Sequence, residues 1–360
     1  MKMLVRIILG RVLRIIENNQ QIQIVELDVN GEKFQGINYP ELTGRVEEND
    51  LVHLNATAIE LGLGTGGFHF ITAILNKNLN NSLAKGHIMK LRYTPQQIKV
   101  LAVEEEESPY HQIIKEFKTL NNKPVIIGFL HSMVLPCIAG IRAINPHLKI
   151  SYIMSDGGAL PLPFSRNIKM LQELNWLQGT ITAGHAFGGD LEAINIYSAL
   201  AAAAEVQKAD IIIVAMGPGI VGTGTQLGTT ALEVGQIINA VGSLGGRPIV
   251  IPRINFNDSR QRHKGLSHHT LTVLEKIALI GATVVLPSLN DVHKMNYLKE
   301  QIEVSQIRSK HQVVVANGEP GLEILKKHNI FVQTMGRSLK EEEEFFLTAC
   351  ATGVFTANLI

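Results

Sequence analysis

Between Arg253 and His269 the chain reads Arg-Ile-Asn-Phe-Asn-Asp-Ser-Arg-Gln-Arg-His-Lys-Gly-Leu-Ser-His-His, a concentration of cations and imidazoles. Arg253, Arg260 and Arg262 supply forked, permanently charged donors suited to phosphate or carboxylate. Ser267 is placed to cap a following helix. That would set His268 and His269 in its first turn, where the helix dipole disfavours the imidazolium and leaves a neutral ring able to exchange protons. His263 lies beside them. The competing reading is a solvated charged loop in which Asp258 pairs with Arg262.

A second stretch, Ala215 to Gly228, follows an apolar run and precedes a helical one. Gly217, Gly219 and Gly222 match the G-x-G-x-x-G dinucleotide pattern, but Pro218 lacks an N–H and the helix begins only near Thr229. Arg253, not an acid, follows the next strand, and no Lys follows Gly222 as a P-loop requires. The expected ligand is therefore a phosphate or another anion, held by Thr223, Thr225, Gly224 and backbone amides. A demanding turn with no ligand is the structural alternative.

A third stretch, Thr182 to Glu192, carries His185 ahead of a Gly pair, with Asp190 positioned to cap an Ala-rich helix. His185, His263, His268 and Asp156 are the candidates for proton transfer. His131, Asp156, His185 and Asp190 are residue types that together could coordinate a divalent ion, yet no metal-ligand spacing motif is present. No metal site is expected and no cofactor is assigned. There is no G-x-S-x-G elbow, no H-E-x-x-H and no kinase signature.

The elements that must position these residues fall into two kinds. Residues 1–105 read as a β-rich domain, a small barrel or sandwich. Ile22 to Val29 alternates, Asn30-Gly31 is a hairpin signal, and Gly62 to Gly67 forms a glycine-rich turn. The acidic run Glu104 to Glu107, followed by Ser108-Pro109, marks the expected boundary. Residues 106–360 carry continuous apolar runs at Val125–Phe129, Ile150–Met154, Ile211–Ala215, Ile249–Ile251, Thr283–Leu286 and Val313–Val315. Helical stretches at Asp190–Val206, Thr229–Val241 and Ser267–Ile280 lie between them. That alternation predicts a doubly wound, mostly parallel, Rossmann-like α/β domain. Ligands in such sheets bind outside the carboxyl ends of the strands, and the polar residues above follow predicted strands.

Composition narrows the function classes. With 33 Lys+Arg against 32 Asp+Glu, the net charge of +1 gives no basic stripe for nucleic acid. Two cysteines form no disulfide framework, and Arg6, Arg11 and Arg14 interrupt the apolar start. The reading is therefore a cytoplasmic protein with neither signal peptide nor membrane span. Phe345, Phe346, Leu347, Val354 and Phe355 need cover, either from the α/β core or from a second copy in a homodimer.

The stretches SDGGALPLPFS, TAGHAFGGDLEAINIYSAL, AMGPGIVGTGTQLG and DSRQRHKGLSHHT resemble, together with LGLGTGGFHF, a bacterial family known only as a domain of unknown function. The resemblance runs the full length and implies no activity, substrate, cofactor or site residue. From the residues alone, the expected function is an enzyme of hydrolase or transferase type acting on a phosphorylated or otherwise anionic small molecule. A non-catalytic ligand sensor or interaction protein is the alternative.

Overall fold

The computed structural model describes residues 5–64, 66–75, 77 and 85–360, and the chain divides into two compact units, Met1–Val100 and Leu101–Ile360. In the first, β1 (Ile7–Asn18), β2 (Gln23–Val29), β3 (Glu32–Asn38), β4 (Leu51–Asn55) and β5 (Phe68–Ile74) close a barrel in the order β1-β2-β3-β5-β4. This is a five-stranded Greek-key closure of the kind OB barrels use, a likeness of shape alone. The period-two pattern explains the core: Val25, Leu27 and Val29 turn inward to meet Val12, Val52, Leu54 and Ile71, while Glu26 and Asp28 take the other face. Asn30 and Gly31, with φ of 55° and 88°, make the mirror-image turn that pairs Val29 with Glu32. Gly66 and Gly67 turn into β5, and Thr65 between the glycines lies outside the described residues. A short hairpin, β6 (Ile88–Lys90) and β7 (Ile98–Val100), follows.

The second unit is built on β8 (Pro124–Gly128), β9 (Ile150–Ser155), β10 (Gly179–Ala183), β11 (Leu191–Ala193), β12 (Ile211–Met216) and β13 (Arg247–Ile251). A two-residue ladder, β14 (Ile254–Asn255) with β15 (Gly265–Leu266), leads on to β16 (Thr283–Pro287) and β17 (Gln312–Ala316). The eight-stranded sheet has the order β11-β10-β9-β12-β8-β13-β16-β17, and every pairing in it is parallel. From β8 the chain steps outward through β9 to β11, then returns to insert β12 and continues the other way. Helices flank the sheet: Val134–Ile144 packs with Glu319–Lys327 and Glu343–Ala357, and Ile196–Glu205 packs with Glu233–Ser243. The sheet is thus the doubly wound, flanked sheet expected, with β8, β9 and β12 buried along nearly their whole length.

Several local expectations change. The acidic run lies within the second unit, with Glu105 buried and Glu106 and Glu107 exposed. Ala102 and Val103 are buried, Glu105 Oε1 accepts the Ala102 N–H at 2.6 Å, and Glu104 Oε1 accepts the Ile194 N–H at 2.9 Å. These carboxylates satisfy backbone donors of the α/β unit, whose compact body begins at Leu101. The exposed tyrosine Tyr93, in the turn between β6 and β7, offers proteolysis an easier target: it is 99% exposed at a φ of 60°. A protease of broad specificity such as proteinase K is expected to cut beside Tyr93 before any cleavage at 104–109, a result read from the amino-terminal sequences of the early fragments.

Asp190 does not cap the Ala-rich helix. Its Oδ2 takes both the N–H and the hydroxyl of Thr180, holding β11 beside β10, and the helix Ile196–Glu205 is capped by Asn195. The carboxy-terminal helix Glu343–Ala357 is a core element. Phe345, Phe346, Leu347 and Val354 are buried. Thr348, Thr352 and Thr356, also buried, donate to the carbonyls four residues back, which satisfies their hydroxyls inside an apolar helix. These side chains are covered within the chain, so they supply no argument for a second copy. Among the described residues no helix is long and apolar enough to cross a membrane.

Candidate functional site

The chain leaves β13 at Ile251 and folds the segment 253–267 into a loop pinned at its base by β14 and β15. Asn255 Oδ1 accepts the N–H groups of Asn257 and Asp258, which turns the backbone so that the Asp258 carboxylate faces inward. Asp258 then pairs with Arg260, not Arg262. Arg260 Nε and Nη2 reach its two oxygens at 2.9 and 2.8 Å, and the buried Arg253 stands 3.7 Å away on the other side. The Arg260 guanidinium holds the Asp258 carboxyl far below the usual carboxylate range. Arg260 is thus committed to the loop's own architecture. Arg262, exposed at the loop's apex, makes no ion pair among the described residues.

Ser267 caps the short helix His268–Thr272, accepting the His269 N–H, as its position in sequence predicts. Its hydroxyl also bonds His263 Nδ1 at 2.9 Å. The three imidazoles form one cluster: the His268 and His269 ring centres are 3.9 Å apart, and His263 lies 5.0 and 5.4 Å from them. Burial, with the charges of Arg253 and Arg260 next, pushes His263 down to about 3; burial, then His268 and the arginines, pushes His269 down to about 4. Burial, then the charges of Arg262, Arg253 and Arg260, lowers His268 as well. His268 Nε2 and His269 Nδ1 are buried without a hydrogen-bond partner.

The glycine loop arrives from β12. It is a small hairpin closed on itself: Thr223 N–H and Oγ1 both reach the Gly228 carbonyl, and Thr225 Oγ1 accepts the Gly228 N–H. The two threonine hydroxyls are engaged there, and neither lines the cavity between the two loops. Gly217 serves close backbone packing, since a Cβ there would lie 2.1 Å from the Ala159 carbonyl oxygen. Gly219 turns the chain with a φ of 107° and meets nothing. Gly222 and Gly224 are different. A Cβ at Gly222 would stand 3.2 Å from His269 Nε2, and one at Gly224 would stand 3.8 Å from the Arg262 guanidinium.

The two loops therefore meet, although β8 separates β12 from β13 in the sheet. Between them lies a cavity of about 200 Å³ lined by Gly222, Gly224, Arg253, Arg260, Arg262 and His263, with Ile220, Val221, His269 and Met335 completing the wall. His268 sits behind it. Ligand sites for drug-sized molecules run to roughly 300–1,000 Å³, so this one matches a phosphate- or carboxylate-sized group.

His185 and Asp156 fall elsewhere on the carboxyl edge, after β10 and β9. Asp156 Oδ2 accepts the His185 N–H at 2.8 Å, tying the two loops together. Neither lines the cavity. His131 is enclosed in a structural network, bonding Tyr152 and the Met216 carbonyl through Nδ1 and Ser165 Oγ through Nε2. The residue that sequence reasoning misses is Glu233. It opens the helix Glu233–Ser243 and reads as an ordinary first-turn acid, but its carboxyl faces the loop after β9, where Gly157 leaves it room: a Cβ there would lie 2.4 Å from Glu233 Oε2. Burial pushes Glu233 up to about 7, the Ser155 hydroxyl opposing and the Asp156 charge adding to the rise. Only the folded arrangement, which buries the carboxyl and brings Asp156 close, creates that shift.

Fold and edge chemistry together define a doubly wound α/β protein with an amino-terminal barrel and a cationic, imidazole-lined cavity at the carboxyl edge of its sheet. The chain belongs to the family described as "Protein of unknown function (DUF3866)", whose model matches residues 35–353. Comparison with curated proteins and with solved structures finds no match.

Proposed function

We propose that the cavity binds a phosphorylated or otherwise anionic small molecule, on which the protein acts as a hydrolase or transferase. One observation carries this reading: Arg262, a cation with no ion-pair partner among the described residues, faces the bare backbone of Gly224 across a cavity backed by the buried Arg253. A forked guanidinium beside backbone that carries no side chain leaves room for one anionic group to accept from it. The volume favours a single anionic head over a dinucleotide, in keeping with the defective dinucleotide pattern of the glycine loop.

Thermal unfolding of the full chain with orthophosphate, sugar phosphates, nucleotides and acyl anions tests this. An anion present at about 100 times its dissociation constant stabilises the fold by about 2.7 kcal/mol. For a unit of this size that raises Tm by roughly 5–10 °C. Arg262→Gln is expected to abolish the shift while leaving the unliganded Tm nearly unchanged, because an exposed, unpaired charge contributes little to stability. Arg260 is unsuited to this test because its loss would unsettle Asp258. An equal shift in Arg262→Gln and parent would reject the site.

A further inference from the structure

We propose that His263, His268 and His269 form a binding site for one divalent transition-metal ion of the zinc class, open on one side to the anion cavity. The proposal deepens the reading above, since the anion or a water would take the remaining coordination position. Each ring places one nitrogen within 4.8 Å of the nitrogens offered by the other two. In a tetrahedral zinc site with Zn–N of about 2.0–2.1 Å, ligand nitrogens stand about 3.3 Å apart. Modest rotations of the three rings close that difference.

Three further features point to an occupant. Buried polar atoms almost always have a hydrogen-bond partner, yet His268 Nε2 and His269 Nδ1 have none. A metal ion satisfies an imidazole lone pair where no donor is at hand. His263 is oriented by the bond from its Nδ1 to Ser267 Oγ, which leaves Nε2 as its second site, the arrangement that metal-ligating histidines use to set ring and tautomer. His263 and His269 also line the cavity wall, and Gly222 keeps the space beside the His269 ring free of a side chain. An all-imidazole set selects zinc, copper, nickel or iron over magnesium and calcium, which prefer oxygen.

The arginines shape the ligand set. Arg253, Arg260 and Arg262 repel a bare dication, and Asp258 offsets only part of their charge. An anionic oxygen on the metal relieves that repulsion while accepting from Arg262. Metal and anion should therefore bind cooperatively, and by linkage each should raise the other's affinity by the same factor.

The test uses the full chain, stripped with a chelator and titrated with Co²⁺ and Zn²⁺ in the presence and absence of orthophosphate. The expected result is one equivalent bound, with the intense visible absorption of four-coordinate cobalt, and tighter binding with phosphate. His268→Gln should lose the cobalt spectrum; His268 is half-buried and its Nε2 has no hydrogen bond to lose, so this variant should fold like the parent, as circular dichroism would report. Ser267→Ala should weaken binding about 10–100-fold through the misoriented His263. Arg262→Gln should keep the metal and lose the phosphate enhancement. No stoichiometric binding, a cobalt spectrum unchanged from the hydrated ion, or unaltered affinity in His268→Gln would overturn the metal site. An Arg262-dependent phosphate shift that survives without metal binding would leave the anion reading standing alone; metal binding indifferent to phosphate would leave the metal site standing alone.

Discussion

Asp258→Asn is expected to destabilise the α/β unit by about 3–5 kcal/mol at pH 7, the range for removing one partner from a buried ion pair. Its side chain is 3% exposed and that of Arg253 is 5% exposed, so the substitution leaves a buried guanidinium beside Arg260 without the carboxylate that offsets both. At roughly 2–4 °C per kcal/mol for a domain of this size, Tm should fall by at least several degrees. The pH dependence has a definite sign. The folded-state pKa of Asp258 is depressed, so its stabilisation is complete above the unfolded value of about 3.9 and is lost as pH falls through the folded one. The gap between parent and variant should be full at pH 7 and narrow below about pH 4. Arg260→Gln should cost less, because the Arg260 side chain is 44% exposed and Asp258 retains Arg253. A loss under about 1 kcal/mol in Asp258→Asn, the range of a solvated pair, would show that water reaches the loop interior.

Glu233→Gln should do the opposite. The Glu233 carboxyl is raised from 4.5 to about 7, so the unfolded chain ionises first as pH rises, and the folded state is penalised. The penalty is absent below about pH 4.5, grows through the interval and is complete above about pH 7. There it reaches about 3 kcal/mol, from 1.36 kcal/mol per pKa unit. Glutamine keeps the shape and removes the charge. The variant should therefore match the parent near pH 4.5 and exceed it by up to about 3 kcal/mol at pH 8. The groups facing Glu233 are Asp156, Ser155 and Tyr152; Asp156 adds to the shift and Ser155 opposes it, while Tyr152 stays protonated across the whole interval. Urea unfolding across that pH range measures the difference. A pH-independent offset would show that Glu233 titrates as an exposed carboxylate. A carboxyl titrating near neutrality at the ends of β9 and β12 also suits acid–base work.

The sheet was legible because a strand buried on both faces must be a continuous apolar run: β8, β9, β12, β13 and β16 are such strands, and the partly exposed edge strand β17, with Val315 at 53%, carries an apolar run as well. β10 and β11 do not: Gly179, Thr180 and Thr182 break the first, and β11 has only three residues, held by the Asp190–Thr180 bonds. The histidine cluster was also legible, since Ser267, His268 and His269 are sequence neighbours and one cap sets their geometry.

Partners in space were decided by tertiary structure alone. Composition shows that Asp258 has arginines nearby, but the Asn255-anchored turn selects Arg260 and leaves Arg262 for the cavity. Spacing makes Gly217, Gly219 and Gly222 look like one motif. In the fold, Gly217 packs on Ala159, Gly219 turns the chain, and Gly222 borders His269. Asp156 and His185 were legible as edge residues, yet the strand order places them over β9 and β10, apart from the cavity wall. Local propensity and periodicity depend on residues a few positions apart, so they survive in a linear reading. A cavity, an ion-pair choice or a displaced pKa depends on distances across strands that are far apart in sequence, and only the packed sheet sets those distances.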